Sequence, residues 1–71
     1  MATIKSEMAG TVLELKVKKG DHVKAGQEVA VLESMKMEVP LTSSVSGTVT
    51  NILKNIGDFV NEGEAILELG P

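Results

Sequence analysis

The chain has no cysteine, arginine, tryptophan or tyrosine, and Phe59 is its only aromatic residue. Each absence excludes a class of chemistry. Without cysteine there is no disulfide framework and no thiolate metal site, so no covalent staple holds the fold and no residue reports an oxidising compartment. Without further aromatics there is no stacking platform for bases or sugars. Without arginine the bidentate reader of phosphate and guanine is missing, and all seven basic residues are lysines. Lys16, Lys18, Lys19 and Lys24 form the densest basic run, but Glu14 and Asp21 interrupt it. A solvated strand edge accounts for that pattern, and nucleic acid is not an expected partner. Long apolar stretches are missing too. The longest aliphatic run is residues 29–32, far short of the roughly 20 residues a membrane span needs, and the N-terminal Met1-Ala2-Thr3-Ile4-Lys5 has no apolar signal core. The expectation is a soluble, cytoplasmic protein with no membrane partner.

What is present is a short, aliphatic, mildly acidic chain. Its 71 residues make one domain, 1–71, of a size at which folding buries only roughly 60% of the unfolded surface. Elaborate pockets are not expected at that size. The net charge of -3 is unevenly divided: residues 1–36 hold six lysines and five acids, while residues 37–71 hold Lys54 and five acids.

The sequence repeats itself. Aligning residues 4–34 with residues 41–71, an offset of 37 without gaps, gives nine identities in 31 positions. They are Ser6/Ser43, Gly10/Gly47, Thr11/Thr48, Val12/Val49, Gly20/Gly57, Asp21/Asp58, Val23/Val60, Gly26/Gly63 and Leu32/Leu69. Two copies of one supersecondary unit, related by an approximate two-fold axis and joined through residues 35–40, follow from this.

Each copy reads as short strands. Gly10-Thr11-Val12 and Gly47-Thr48-Val49 open extended runs rich in branched residues that reach about Val17 and Leu53. Val12 has the opposite parity to Leu13, Leu15 and Val17, which implies either a bulge or burial on both faces. Lys19-Gly20-Asp21 and Ile56-Gly57-Asp58 mark tight turns, where glycine supplies positive φ and aspartate bonds nearby backbone. A short strand around Val23 or Val60 follows, then a second glycine turn at Gly26 or Gly63, then the runs 29–32 and 65–69. Strands this short, with turns every 8 to 12 residues, belong to a small sandwich or barrel, and no stretch keeps the apolar period of a helix. Pro40 lacks a ladder donor, which places the strand from Met37 to Thr42 at a sheet edge or Pro40 itself where no ladder donor is needed.

The joint between the copies carries the functional signal. Lys36 is the middle residue, with 35 on either side, in Glu33-Ser34-Met35-Lys36-Met37-Glu38. A two-residue hairpin turn prefers Asn-Gly or Asp-Gly, because both central residues take positive φ. Met35-Lys36 supplies neither, and a turn built from unfavourable residues implies strain, which persists at functional sites.

Gly10-Thr11-Val12, Lys19-Gly20-Asp21-His22-Val23, Gly26-Gln27, Glu33-Ser34-Met35-Lys36-Met37, Ser46-Gly47-Thr48-Val49 and Gly57-Asp58-Phe59-Val60 together resemble the biotinyl/lipoyl attachment domain family, over nearly the whole chain. The resemblance implies an all-β fold: a flattened barrel, or sandwich, of two four-stranded antiparallel sheets with quasi-two-fold symmetry. The lysine stands at a hairpin tip on one sheet and both termini lie in the other. It implies covalent biotin on Lys36, with Glu33, Met35 and Met37 read by a biotin protein ligase. It further implies a monomeric carrier that shuttles carboxylate between a biotin carboxylase and a carboxyltransferase or decarboxylase. Lipoyl domains usually carry Asp-Lys-Ala at the tip, so the two methionines favour biotin, as does the distance of 35 residues from Lys36 to the C-terminus. Glu33 suits both patterns, which keeps lipoate on Lys36 as the alternative. The gap-free repeat leaves no room for the thumb insertion of some bacterial carriers. Ser6-Glu7 and Ser43-Ser44 replace the Ala-Pro frequent in the family, and Ser34 stands where alanine is common.

Other chemistry finds no support. A lysine amine in water is protonated in all but roughly one molecule in a few thousand at neutral pH, so acylation needs an enzyme and an activated acyl donor. His22 aligns with Phe59 and is expected to pack beside a turn, and Glu62 and Glu64 read as a solvated rim. Neither forms a triad or metal constellation, and the chain is not expected to be an enzyme. A purely structural barrel, like the hairpin adaptors of export systems, is the remaining reading, but those domains are interrupted by long helical insertions.

Overall fold

The computed structural model describes residues 2–71, which form eight strands and no helix. In chain order they are β1 (Ala2–Lys5), β2 (Gly10–Leu15), β3 (His22–Val23), β4 (Glu28–Ser34), β5 (Met37–Thr42), β6 (Gly47–Ile52), β7 (Phe59–Val60) and β8 (Ala65–Gly70). They make two four-stranded antiparallel sheets, one in the order β1-β8-β6-β3 and the other β5-β4-β2-β7. The expected all-β architecture of two four-stranded sheets is what the chain adopts.

The halves are interlocked. β1 and β3 of the first copy pair with β6 and β8 of the second, while β5 and β7 of the second pair with β2 and β4 of the first. The turns obey the same exchange. Val49 N donates to Asp21 O and Gly20 N to Val49 O, at 2.9 and 2.8 Å; Val12 N donates to Asp58 O and Gly57 N to Val12 O, again at 2.9 and 2.8 Å. Within each turn the aspartate side chain closes the loop, Asp21 Oδ2 accepting from Lys18 N and Asp58 Oδ2 from Asn55 N. Neither copy can satisfy its own backbone alone, because each sheet needs strands from both.

The parity change at Val12 is a bulge. Val12 faces Leu32, but Glu14 faces Val31, so Leu13 is the extra residue; in the second copy Val49 faces Leu69, Asn51 faces Glu68, and Thr50 is the extra residue. The bulge turns Val12 and Val17 to the same interior despite their odd spacing, and both are buried. The regular strands end at Leu15 and Ile52, a little before the expected Val17 and Leu53, although Lys16 N still donates to Val29 O and Leu53 N to Ile66 O.

The core between the sheets is aliphatic: Ile4, Val12, Val17, Val23, Val29, Ala30, Leu32, Leu41, Val49, Val60, Ile66, Leu67 and Leu69 pack together. Each large member contributes roughly 1.5–3 kcal/mol by leaving water. Ser6 and Ser43 are the buried polar residues, and their hydroxyls bond the backbone two residues on, Ser6 to Met8 and Ser43 to Val45. β5 is an edge strand, the first of the two placements that Pro40 allows. His22 differs from expectation. It adjoins the 18–21 turn but is exposed on β3, because this edge strand offers its outer face no neighbour to pack against.

Candidate functional site

β4 and β5 form a hairpin in register from Leu32/Val39 through Glu33/Glu38 to the closing pair Ser34/Met37, leaving Met35 and Lys36 as its two turn residues. Both take positive φ, 53° and 64°, and among the described residues they are the only non-glycine positions that do. This is the backbone a two-residue hairpin demands, and for side chains with a Cβ it costs about 1–2 kcal/mol each. The cost is local and offset by the hairpin's ladder and by Val29, Ala30 and Leu32, which anchor β4 in the core.

The turn projects into solvent. Met35 is 91% exposed and Met37 66%, so two thioethers flank the lysine with most of their apolar surface in water. Lys36 is exposed, and the ion pairs among the described residues, Lys16–Glu28 and Lys54–Glu64, do not involve it. Its amine is therefore open to an incoming acyl group, with no side chain to displace. An exposed primary amine of this kind can form an amide with an activated carboxyl group.

Residues below the turn hold it at a fixed height. An added Cβ on Gly10 of β2 would lie 2.5 Å from the Glu33 carbonyl oxygen and 3.5 Å from Ser34 Cβ. Only glycine lets β2 pass this close to the root of the hairpin. On the outer face, cross-strand pairing lines up Phe59, Thr11, Glu33 and Glu38 in one row, because directly opposed residues share a face. Phe59, Glu33 and Glu38 are exposed, and the two glutamates form a like-charged opposed pair that takes part in neither ion pair among the described residues.

Ala2 and Pro71 lie away from this tip. Ala25 N, in the turn that leads into the start of β4, donates to Ser46 Oγ at 3.1 Å, and Ser46 lines a shallow open hollow with Ala2, Leu69, Gly70 and Pro71. Ala2 and Pro71 are thus beside the beginning of β4, and Lys36 follows its finish, in a molecule 34 Å long. His22 pairs with Thr48, itself the partner of Gly70, so the only histidine is at the far end from the lysine. No group of three or more metal-ligating side chains occurs among the described residues.

Of the site residues expected from the sequence, Met35, Lys36 and Met37 form the tip and Glu33 lies one residue pair below its closing pair. Gly10, Glu38 and Phe59, which the sequence motifs include without a site role, lie beside them. The identity Gly10/Gly47 was the available signal for the first; the others depend on strand pairing. Away from the tip, Glu64 is not a free rim charge: its Oε1 accepts from Asn61 N at 2.9 Å and its Oε2 lies 3.0 Å from Lys54 Nζ. The Asn61 backbone bond first, and then Lys54, hold its carboxyl below the usual glutamate value.

A family model described as "Biotin-requiring enzyme" matches residues 2–69. The chain is 52% identical over 67 residues to a biotin/lipoyl attachment protein of Bacillus subtilis (strain 168), covering 94% of this chain and 92% of that protein. It is 41% identical over 68 residues to the mitochondrial propionyl-CoA carboxylase alpha chain of Homo sapiens, and spans 9% of that subunit. Its fold superposes on part of the Kluyveromyces lactis urea carboxylase with a TM-score of 0.90 at 33% identity, covering 97% of this chain and 6% of the carboxylase.

Proposed function

The chain belongs to the biotin/lipoyl attachment family, and from that premise we propose that it is a biotin carboxyl carrier acylated on Lys36 Nζ. It acts as a carrier and not as a catalyst. The observation that carries the reading is the turn: Lys36 is an exposed amine at the apex of a two-residue hairpin whose backbone is held at positive φ against local preference. A surface lysine needs no such placement; an amine that must enter another protein's active site does.

The division of labour follows from the geometry. Lys36 supplies the nucleophilic nitrogen, which loses its protons as the amide bond to the cofactor carboxyl forms and the activating group departs; the ligase supplies the base and the activated donor. Bound there, biotin supplies a ureido nitrogen that carries a carboxylate between partner sites. Met35 and Met37 offer the ligase two apolar contacts on either side of the amine, and Glu33 offers a charge. The two-sheet body holds the tip away from Ala2 and Pro71, which leaves the lysine hairpin clear for a partner's approach. The partners in this proposal are a biotin protein ligase, a biotin carboxylase and a carboxyltransferase or decarboxylase.

Intact mass after coexpression with a biotin ligase tests the reading. One biotinyl adduct on the wild type and none on Lys36→Arg is expected; an unmodified wild type in the presence of active ligase overturns it. The adduct mass also separates biotin from lipoate, which the shared family keeps as the second reading.

A further inference from the structure

Phe59 is the only aromatic side chain, and it is left 58% exposed. Strand pairing puts it on the same outer face and in the same register row as Glu33 and Glu38, one residue pair below the Ser34/Met37 closure of the lysine turn. In a chain this small, leaving its largest apolar side chain in water forfeits core stabilisation, and two opposed glutamates beside it are mutually repulsive. From these features the geometry points to a docking surface, Phe59 with Glu33 and Glu38, for the ligase that acylates Lys36. This inference rests on Lys36 being the acylated residue.

The choice of the ligase over the later partners comes from reach. The row lies about 3.4 Å below the closing pair, and Phe59 is two strands across from Glu33, about 9–10 Å away. During acylation the acceptor is the bare lysine, so the ligase surface must come down onto the body of the domain within that radius. Afterwards the tethered cofactor extends the reach, and partner sites need not touch the row. The chemistry of the docking partner is set by charge. Residues 37–71 hold five acids against Lys54 alone, and among the described residues neither Glu33 nor Glu38 is in an ion pair. A ligase face with an apolar pocket beside basic side chains complements both features.

The internal repeat supplies a matched control. His22 is the repeat counterpart of Phe59; it is likewise exposed on a two-residue edge strand, but it pairs with Thr48 at the end far from Lys36. Steady-state biotinylation of the unmodified full chain by purified biotin ligase, over a range of chain concentrations, therefore separates docking from folding. Phe59→Ala is expected to lower kcat/KM about tenfold through KM, while His22→Ala stays within about twofold of wild type. Rising salt should weaken the wild type more than a Glu38→Gln variant. Unchanged kinetics for Phe59→Ala, equal losses in the two variants, or a loss confined to kcat would each overturn the docking surface while leaving the carrier reading intact. A wild type that takes no biotin removes the carrier reading, and this surface falls with it.

Discussion

Gly10 and Glu33 are in contact through backbone alone, with space for no side chain between them: a Cβ on Gly10 would stand 2.5 Å from the Glu33 carbonyl oxygen. Gly47 and Gly70 repeat the arrangement at the opposite end, where the corresponding distance is 2.6 Å. Gly10→Ala and Gly47→Ala should each destabilise the domain by about 1–3 kcal/mol, the usual cost of overpacking. Only Gly10→Ala displaces the root of the lysine hairpin. Urea denaturation should show similar losses for both, and biotinylation rates measured on the folded proteins should fall for Gly10→Ala alone.

The left-handed turn predicts a trade between stability and recognition. Asparagine tolerates positive φ better than methionine, so Met35→Asn, at φ 53°, should raise stability by about 0.5–1 kcal/mol. The same change removes an exposed thioether beside Lys36. Chemical denaturation is expected to show the gain, and ligase kinetics a higher KM.

Glu64 gives the fold a pH dependence of defined sign. Its carboxyl is held below the ordinary value of 4.5 by the Asn61 backbone bond and by Lys54, so the charged form favours the folded state. That contribution is complete above the unfolded carboxylate range and is lost as pH falls through the lower folded value. In Glu64→Gln the amide oxygen can keep the bond to Asn61 N, as Gln27 Oε1 does to Lys24 N at 3.0 Å, but the attraction to Lys54 is gone. Thermal melts of wild type and variant should differ at neutral pH and converge on acidification. A constant difference down to low pH would refute the assignment.

Leu32 and Leu69 occupy equivalent places in the two copies, and both are buried in the shared core. Truncation of either to alanine should cost about 2–5 kcal/mol, a large part of the stability of so small a domain. Because the halves are interlocked, the two losses should be alike, and each variant should unfold in a single transition. A partly folded intermediate in calorimetry would show that one copy can stand without the other.

The sequence by itself determined the local backbone. The offset of 37 fixed two copies; Gly20-Asp21 and Gly57-Asp58 fixed their turns; Pro40 limited its strand to an edge or itself to a site without a ladder donor; and the unfavourable Met35-Lys36 pair at the midpoint marked the joint. All of these are read from φ preferences and from hydrogen-bonding capacity within a few residues. The tertiary structure alone decided which strands pair. That β3 joins the second copy's sheet and β7 the first's, that Leu13 rather than a neighbour is the bulged residue, that Gly10 meets Glu33, and that Phe59 stands in line with Glu33 and Glu38 follow from the exchange of edges between the copies. Alternation along a strand records only which face is buried; the partner across the sheet is chosen when both copies close on one core, because neither has enough apolar surface or enough ladder partners to close alone.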